Sequence, residues 1–205
     1  MSVCEYTTRS KPGSARGAAH VIALTGLVLA LVTTVSPPAR GAELQKVDFR
    51  VGELLEPTDV NGWSIGLEFD PDSPPRWLQF FGGEVHYQVS VGQWLDTGAD
   101  GNDDIQFIEG GPVFRYRPAF LADRWYLDWG VGLSLMSDDD IGDDREAGGP
   151  PLFLTDVTLA RAFGKERRWH GGLRFRHVSN GGFLGDDGQG ANIVTLELSY
   201  RFGSI

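Results

Sequence analysis

A histidine and a serine two positions apart are the residues of this chain best suited to ester chemistry. His177 and Ser179 lie in the segment RFRHVSNGG, in which polar and apolar residues alternate. Residues i and i+2 of a β-strand point to the same side. The imidazole of His177 can therefore take the proton of the Ser179 hydroxyl and turn it into a nucleophile.

The neighbours of this pair indicate what its side of the strand faces. Leu173 and Phe175 share the side of His177, whereas Arg174 and Arg176 point to the opposite side. A soluble strand would bury its apolar side and expose its arginines to water. The reverse arrangement is typical of a strand whose outer side contacts lipid and whose inner side lines a barrel.

Alternation of the same kind recurs along the chain and predicts eight strands. No segment after residue 41 predicts a helix, and a β-bulge is expected where Gly110 and Gly111 interrupt the fourth strand. The predicted strands lie around residues 47–52, 63–70, 84–91, 105–113, 125–135, 153–163, 173–179 and 192–202.

Eight strands of alternating polarity predict an all-β fold, an eight-stranded antiparallel transmembrane β-barrel of the bacterial outer membrane. A secreted soluble barrel or sandwich is the alternative, but the predicted inner faces carry too many charges of both signs for an ordinary core. An eight-stranded barrel is filled by its side chains and leaves no wide pore. The residues expected inside are Arg50, Glu68, His86, Asp128, Arg174, Arg176, Glu197 and Arg201.

The first 41 residues have the layout of a secretory signal peptide. Basic residues precede the apolar run VIALTGLVLALVTTV, and a small-x-small site follows at Ala39-Arg40-Gly41. The run has 15 residues, fewer than the roughly 20 that a membrane-spanning helix needs. We therefore expect a cleaved leader over 1–41 and the barrel over 42–205, exported to the outer membrane.

Composition excludes several functions. Without the leader the chain has 14 basic and 27 acidic residues, a formal charge of −13, which disfavours nucleic acid as a partner. Cys4 is the only cysteine and lies in the leader, so thiol catalysis and thiolate metal sites are not expected. The scattered histidines have no metal-site spacing, and we expect neither metal nor cofactor. The predicted connections after strands three, five and seven are acidic and would be extracellular: 96–104, 137–149 and 181–190.

The C-terminal residues resemble a known family. His177-Val178-Ser179-Asn180-Gly181-Gly182, then Gly190-Ala191-Asn192 and a last strand ending Tyr200-Arg201-Phe202, are similar to the lipid A 3-O-deacylase (PagL) family. Those enzymes are eight-stranded outer-membrane barrels that hydrolyse an acyl ester of lipid A. The specific match covers about thirty residues, Leu173 to Phe202.

The resemblance implies roles for five residues. Ser179 would be the nucleophile and His177 the general base, on the lipid-facing surface near the outer rim. The family's glutamate at the start of the last strand corresponds to Asn192, which would orient His177 without supplying a charge. Glu197 has the opposite strand parity and should point into the barrel. The side-chain amide of Asn180 and the backbone N–H of Gly182 would stabilise the oxyanion.

The sequence thus predicts an outer-membrane serine esterase that removes an ester-linked acyl chain from lipid A, at the 3-position by resemblance. Its partners would be lipopolysaccharide in the outer leaflet and the lipid of the outer membrane. Two alternatives stay open: a non-enzymatic barrel such as an adhesin or envelope-stability protein, and an esterase that acts on phospholipid. The sequence also leaves open whether two barrels pair as a homodimer.

Overall fold

The computed structural model describes residues 42–55, 60–96, 104–137, 151–180 and 190–202. Within them, eight antiparallel strands pair in chain order and the first pairs with the last, so the sheet closes into a barrel. This confirms the predicted fold class. The predicted leader and most of the three acidic connections lie outside the described residues. The strands are β1 (Ala42–Leu54), β2 (Val60–Pro71), β3 (Glu84–Asp96), β4 (Ile105–Tyr116), β5 (Trp125–Met136), β6 (Leu152–Phe163), β7 (Trp169–Ser179) and β8 (Ala191–Arg201).

The outer wall of the barrel is apolar because every second residue of each strand points outward. Ile65, Leu173 and Leu198 are each about half exposed, as expected for side chains that contact lipid instead of a protein core. Their chain neighbours point inward and are polar, small or charged. None of the helices in the described part of the chain is long and apolar enough to cross a membrane.

Ion pairs fill the middle of the barrel. The guanidinium of Arg115 donates hydrogen bonds to both carboxylate oxygens of Glu68 and to both of Asp128, at 2.8–3.1 Å. Glu197 accepts hydrogen bonds from Lys46 at 3.2 Å and from Arg174 at 2.8 Å. Because each buried charge faces a partner of opposite sign, the polar interior can exclude bulk water at a tolerable cost.

The prediction of a charged interior is confirmed for seven of the eight residues named from the sequence. Those seven are 1–6% exposed. Arg201, the eighth, lies near the barrel end, where 21% of its side chain is exposed and its guanidinium is 3.9 Å from Asp70. The seven buried residues are Arg50, Glu68, His86, Asp128, Arg174, Arg176 and Glu197.

At one end, however, the interior is apolar, which the sequence did not predict. An apolar cluster closes the barrel where β1, β3, β5 and β7 end, and the Trp94 and Phe107 rings stack at its centre with their centroids 5.5 Å apart. Gly62 has no side chain where the Trp94 ring packs, and any Cβ there would overlap that ring. The cluster comprises Leu54, Val60, Trp94, Ile105, Phe107, Leu152, Leu154, Val178, Ala191 and Ile193.

Two local predictions were wrong. β4 pairs with β3 in one continuous register through Gly110 and Gly111, so no bulge lies there. The described irregularity falls instead in β1, between Leu44 and Lys46. The connection from β2 to β3 also contains a short helix, α1 (Arg76–Gln79), at the end of the barrel opposite Ser179. Four residues are too few for a periodic signal, so the alternation analysis could not detect it.

Candidate active site

His177 and Ser179 lie on the outer wall of β7, as strand parity predicted. Both side chains are partly exposed, whereas Val178 between them is fully buried in the apolar cluster. Ser179 is the last residue of β7, so the pair lies at the apolar-filled end of the barrel. Val178 packs inside the barrel while the side chains of His177 and Ser179 face outward.

Asn192 is hydrogen-bonded to His177 across the paired strands β7 and β8. The two residues are direct partners in the strand register, and His177 Nδ1 lies 2.9 Å from Asn192 Oδ1. The amide oxygen accepts, so Nδ1 carries the proton and donates it. In the neutral imidazole with this tautomer, Nε2 keeps its lone pair, as a general base requires.

The histidine and the serine both lie beside Gly190. A Cβ atom placed on Gly190 would lie 2.9 Å from Ser179 Cβ and 3.1 Å from His177 Cε1, so those two atoms are within about 6 Å of each other. In the described residues no hydrogen bond joins the Ser179 hydroxyl to His177. Catalytic hydrogen bonds often tighten only when substrate binds.

The outer wall next to Ser179 is largely apolar. Toward β1, Leu55 is 43% exposed and donates its backbone N–H to the Asn192 carbonyl oxygen, and the exposed Glu53 and Asn61 follow further along β1 and β2. Toward β6 and β5 it carries Phe153, which is the register partner of Ser179, and Leu133; they are 46% and 48% exposed. Hydrocarbon can thus contact the wall on both sides of the serine.

The other residues predicted at the site differ in position. Asn180 is only 1% exposed and lies beneath the outer surface, directly after Ser179. Gly182 lies outside the described residues. Glu197 points into the barrel, as parity predicted, and pairs there with Lys46 and Arg174. It is therefore not the carboxylate that orients His177.

Sequence reasoning missed Thr155 and Phe153, the cross-strand partners of His177 and Ser179 on β6. Thr155 Oγ1 donates a hydrogen bond to the carbonyl oxygen of Gly130 on β5 at 3.2 Å, so the hydroxyl is directed away from His177 on β7. Alternation alone places both residues on the outer wall. The register between β6 and β7, which brings them next to the site, cannot be read from the sequence.

One group of side chains in the described residues has the composition of a metal site. Glu68, Asp70 and His86 bring ligand atoms within 4.8 Å of one another at the end opposite Ser179. Glu68 already accepts hydrogen bonds from Arg115 and lies 2.9 Å from Lys46 Nζ. These two cations oppose a metal ion, and the group is on the inner side of the barrel, away from the serine.

This chain is similar to known proteins in sequence and in structure. Residues 61–201 match the family model of "Lipid A 3-O-deacylase (PagL)". The crystal structure of the outer-membrane enzyme PagL superposes with a TM-score of 0.57 at 22% identity, covering 77% of this chain and 99% of that one. A designed transmembrane β-barrel superposes with a TM-score of 0.47 at 11% sequence identity, covering 78% of this chain and 95% of that one. The N-terminal barrel of Pseudomonas aeruginosa OprF superposes with a TM-score of 0.44 at 12% sequence identity, covering 79% of this chain and 99% of that one.

Among curated protein sequences, none matches this chain. The family match spans more than half of the chain and includes the strands that carry His177, Ser179 and Asn192. The closed eight-stranded barrel agrees with the PagL crystal structure in fold. This chain belongs to the lipid A 3-O-deacylase (PagL) family and is an outer-membrane β-barrel hydrolase.

Proposed function

We propose that this chain is a serine esterase that removes the ester-linked acyl chain at the 3-position of lipid A. The observation that carries the proposal is the 2.9 Å contact between His177 Nδ1 and Asn192 Oδ1, next to Ser179 on the outer wall. A hydrogen-bonded histidine beside a serine in that position has no evident structural purpose, because polar groups on a lipid-facing wall are costly.

The first step is attack by Ser179. His177 Nε2 accepts the hydroxyl proton while the Ser179 oxygen forms a bond to the ester carbonyl carbon. The tetrahedral intermediate then collapses, the bond from that carbon to the sugar oxygen breaks, and His177 returns the proton to the departing sugar hydroxyl. The products of this half-reaction are an acyl-serine and a lipid A with one chain fewer.

Water completes the reaction. His177 removes a proton from a water molecule that attacks the acyl-serine, and the bond to the Ser179 oxygen breaks to release a fatty acid. The serine regains its proton from His177, so the enzyme is unchanged. Only ester and water are consumed, and no cofactor enters either half-reaction.

Asn192 makes His177 a competent base. Its amide oxygen accepts a hydrogen bond from Nδ1–H of His177. This contact favours the tautomer that is protonated on Nδ1, in which the Nε2 lone pair is directed away from β8. Because Asn192 is neutral, it stabilises the imidazolium less than a carboxylate would. We therefore assign Asn192 a positioning role that costs the enzyme some rate compared with a glutamate in its place.

Asn180 and Gly182 are the proposed donors to the oxyanion. Asn180 is buried directly behind Ser179, and a donor shielded from water interacts more strongly with developing charge. The backbone N–H of Gly182 is assigned from the family resemblance alone.

The apolar wall around Ser179 supports a substrate with several acyl chains, such as lipid A. Those chains match the exposed side chains of Leu55, Phe153 and Leu133. An ester at the junction of sugar and chain would lie over the serine. The chain to be removed can then stay in the membrane throughout the reaction.

The test is mass spectrometry of lipid A from cells that express the chain, beside cells that express Ser179→Ala. Ser137→Ala is the matched control, because Ser137 is an exposed serine at the same end of the barrel. We expect loss of one 3-linked hydroxyacyl chain with the unchanged protein and with Ser137→Ala, and intact lipid A with Ser179→Ala.

Other outcomes would redirect the assignment. Unchanged lipid A together with serine-dependent release of fatty acid from phospholipid would indicate a phospholipid esterase. No ester cleavage by a folded barrel would favour the non-enzymatic alternative. Deacylation that persists in Ser179→Ala would rule out the proposed nucleophile.

A further inference from the structure

A cluster of exposed aromatic rings lies at the end of the barrel opposite the active site. Trp77, Phe80 and Phe81 in the connection from β2 to β3 are 66%, 89% and 44% exposed. Phe120, in the neighbouring connection from β4 to β5, is 83% exposed. So much aromatic surface at one end of a barrel indicates a partner that removes it from water.

The segment that carries the cluster is folded against the outer wall. The ring of Phe81 packs on those of Phe114 and Trp129, with centroids 5.0 and 5.6 Å apart, and both rings belong to outward-facing positions of β4 and β5. Phe114 is consequently 0% exposed although it faces outward. The aromatic surface of the segment is therefore continuous with the lipid-facing wall.

Hydrogen bonds hold the segment in this position. Tyr116 donates from its hydroxyl to the Phe81 carbonyl oxygen at 2.8 Å, and Gln79 donates to the Pro74 carbonyl oxygen at 2.9 Å. Gly83, with φ of +79°, turns the chain back into β3 at a point where a Cβ would lie 2.7 Å from the Arg115 carbonyl oxygen. The aromatic rings are thus presented by a defined loop.

We propose that Pro74–Phe81 is a membrane-surface anchor that inserts its aromatic rings among the phospholipids of the leaflet opposite the active site. Aromatic rings are favoured at the boundary between hydrocarbon and headgroups. The exposed guanidinium of Arg76, directly before Trp77, is suited to bind a lipid phosphate. A second copy of the chain would leave unexplained why the patch continues directly into the lipid-facing wall.

Site-specific fluorescence tests the anchor. In full-length protein with Cys4→Ser, Phe80→Cys is labelled with an environment-sensitive dye, and the barrel is folded into phosphatidylethanolamine–phosphatidylglycerol vesicles. Asp72→Cys is the matched control, because it is exposed in the same connection and lies outside the aromatic segment. Trp77→Cys is a second label site in case the first disturbs folding.

We expect the dye at position 80 to emit at shorter wavelength than at position 72 and to be quenched by phospholipids carrying a nitroxide near the headgroup. Iodide in the buffer should quench the dye at position 72 only. Equal quenching of both positions by iodide would overturn the anchor. Protection of position 80 from both iodide and nitroxide lipid would also overturn it, because that pattern indicates a protein contact.

Discussion

Asn192 and His177 are direct register partners on β8 and β7, and their side chains meet on the outside of the barrel at 2.9 Å. The contact holds the imidazole by a neutral amide where the family resemblance implies a carboxylate. Because the pairing is set by the backbone register, replacing the side chain at position 192 changes the chemistry without moving the strand. Substitutions at position 192 therefore test how the His177 imidazole is oriented.

Asn192→Leu, which keeps the approximate volume, should lower the deacylation rate constant by about 10²-fold, since His177 loses the acceptor that fixes its tautomer. Asn192→Glu should raise it by about tenfold, because a hydrogen bond to a charged group is worth roughly 1–1.5 kcal/mol more than a neutral one. Purified protein and lipid A in detergent give both rate constants. Equal rates for all three proteins would exclude a role for Asn192.

Gly190→Ala should reduce both activity and stability. Gly190 has φ of +65°, which costs an alanine about 1–2 kcal/mol, and the added methyl would press on Ser179 and His177. Gly164→Ala is the control, because Gly164 has φ of +83° and its added Cβ would meet only Trp169 Cδ1, at 4.0 Å. Urea unfolding should show a larger loss for Gly190→Ala, because its added Cβ would also lie 2.8 Å from the Val178 carbonyl oxygen, and deacylation should fall only for Gly190→Ala. Equal activity of the two would contradict the contact.

Strand parity predicted the outer positions of His177, Ser179 and Asn192, because alternation requires only that the sheet faces two different surroundings. It did not predict the pairing of Phe153 with Ser179, which depends on strand register. It also did not place Trp94 and Phe107 inside the barrel. An apolar residue in an alternating segment is compatible both with a lipid-facing wall and with a filled interior. Its direction becomes known only from the closed barrel.

Trp94→Ala should destabilise the barrel by about 3–5 kcal/mol, because it leaves a cavity among the apolar side chains that close the active-site end. Trp94 is 5% exposed and stacks on Phe107. Trp77→Ala is the control, because the Trp77 ring is 66% exposed and its removal leaves no cavity in the interior. Urea titrations in detergent micelles compare the free energies of unfolding. A loss below about 1 kcal/mol for Trp94→Ala would mean that the cluster does not stabilise this end.

Arg115→Met should destabilise the barrel by about 3–5 kcal/mol, because Asp128 would be left buried without its cationic partner. Adding Asp128→Asn should restore a large part of that loss, since the unpaired charge is then removed. The control is Arg117→Met: Arg117 pairs with Glu84 near the same end, but their side chains are 46% and 53% exposed. An exposed pair contributes about 0–1 kcal/mol, so this variant should unfold at nearly the same urea concentration as the original. Equally small losses in the free energy of unfolding for Arg115→Met and Arg117→Met would mean that water enters the interior and screens Asp128. The barrel would then not be filled by its side chains as described above.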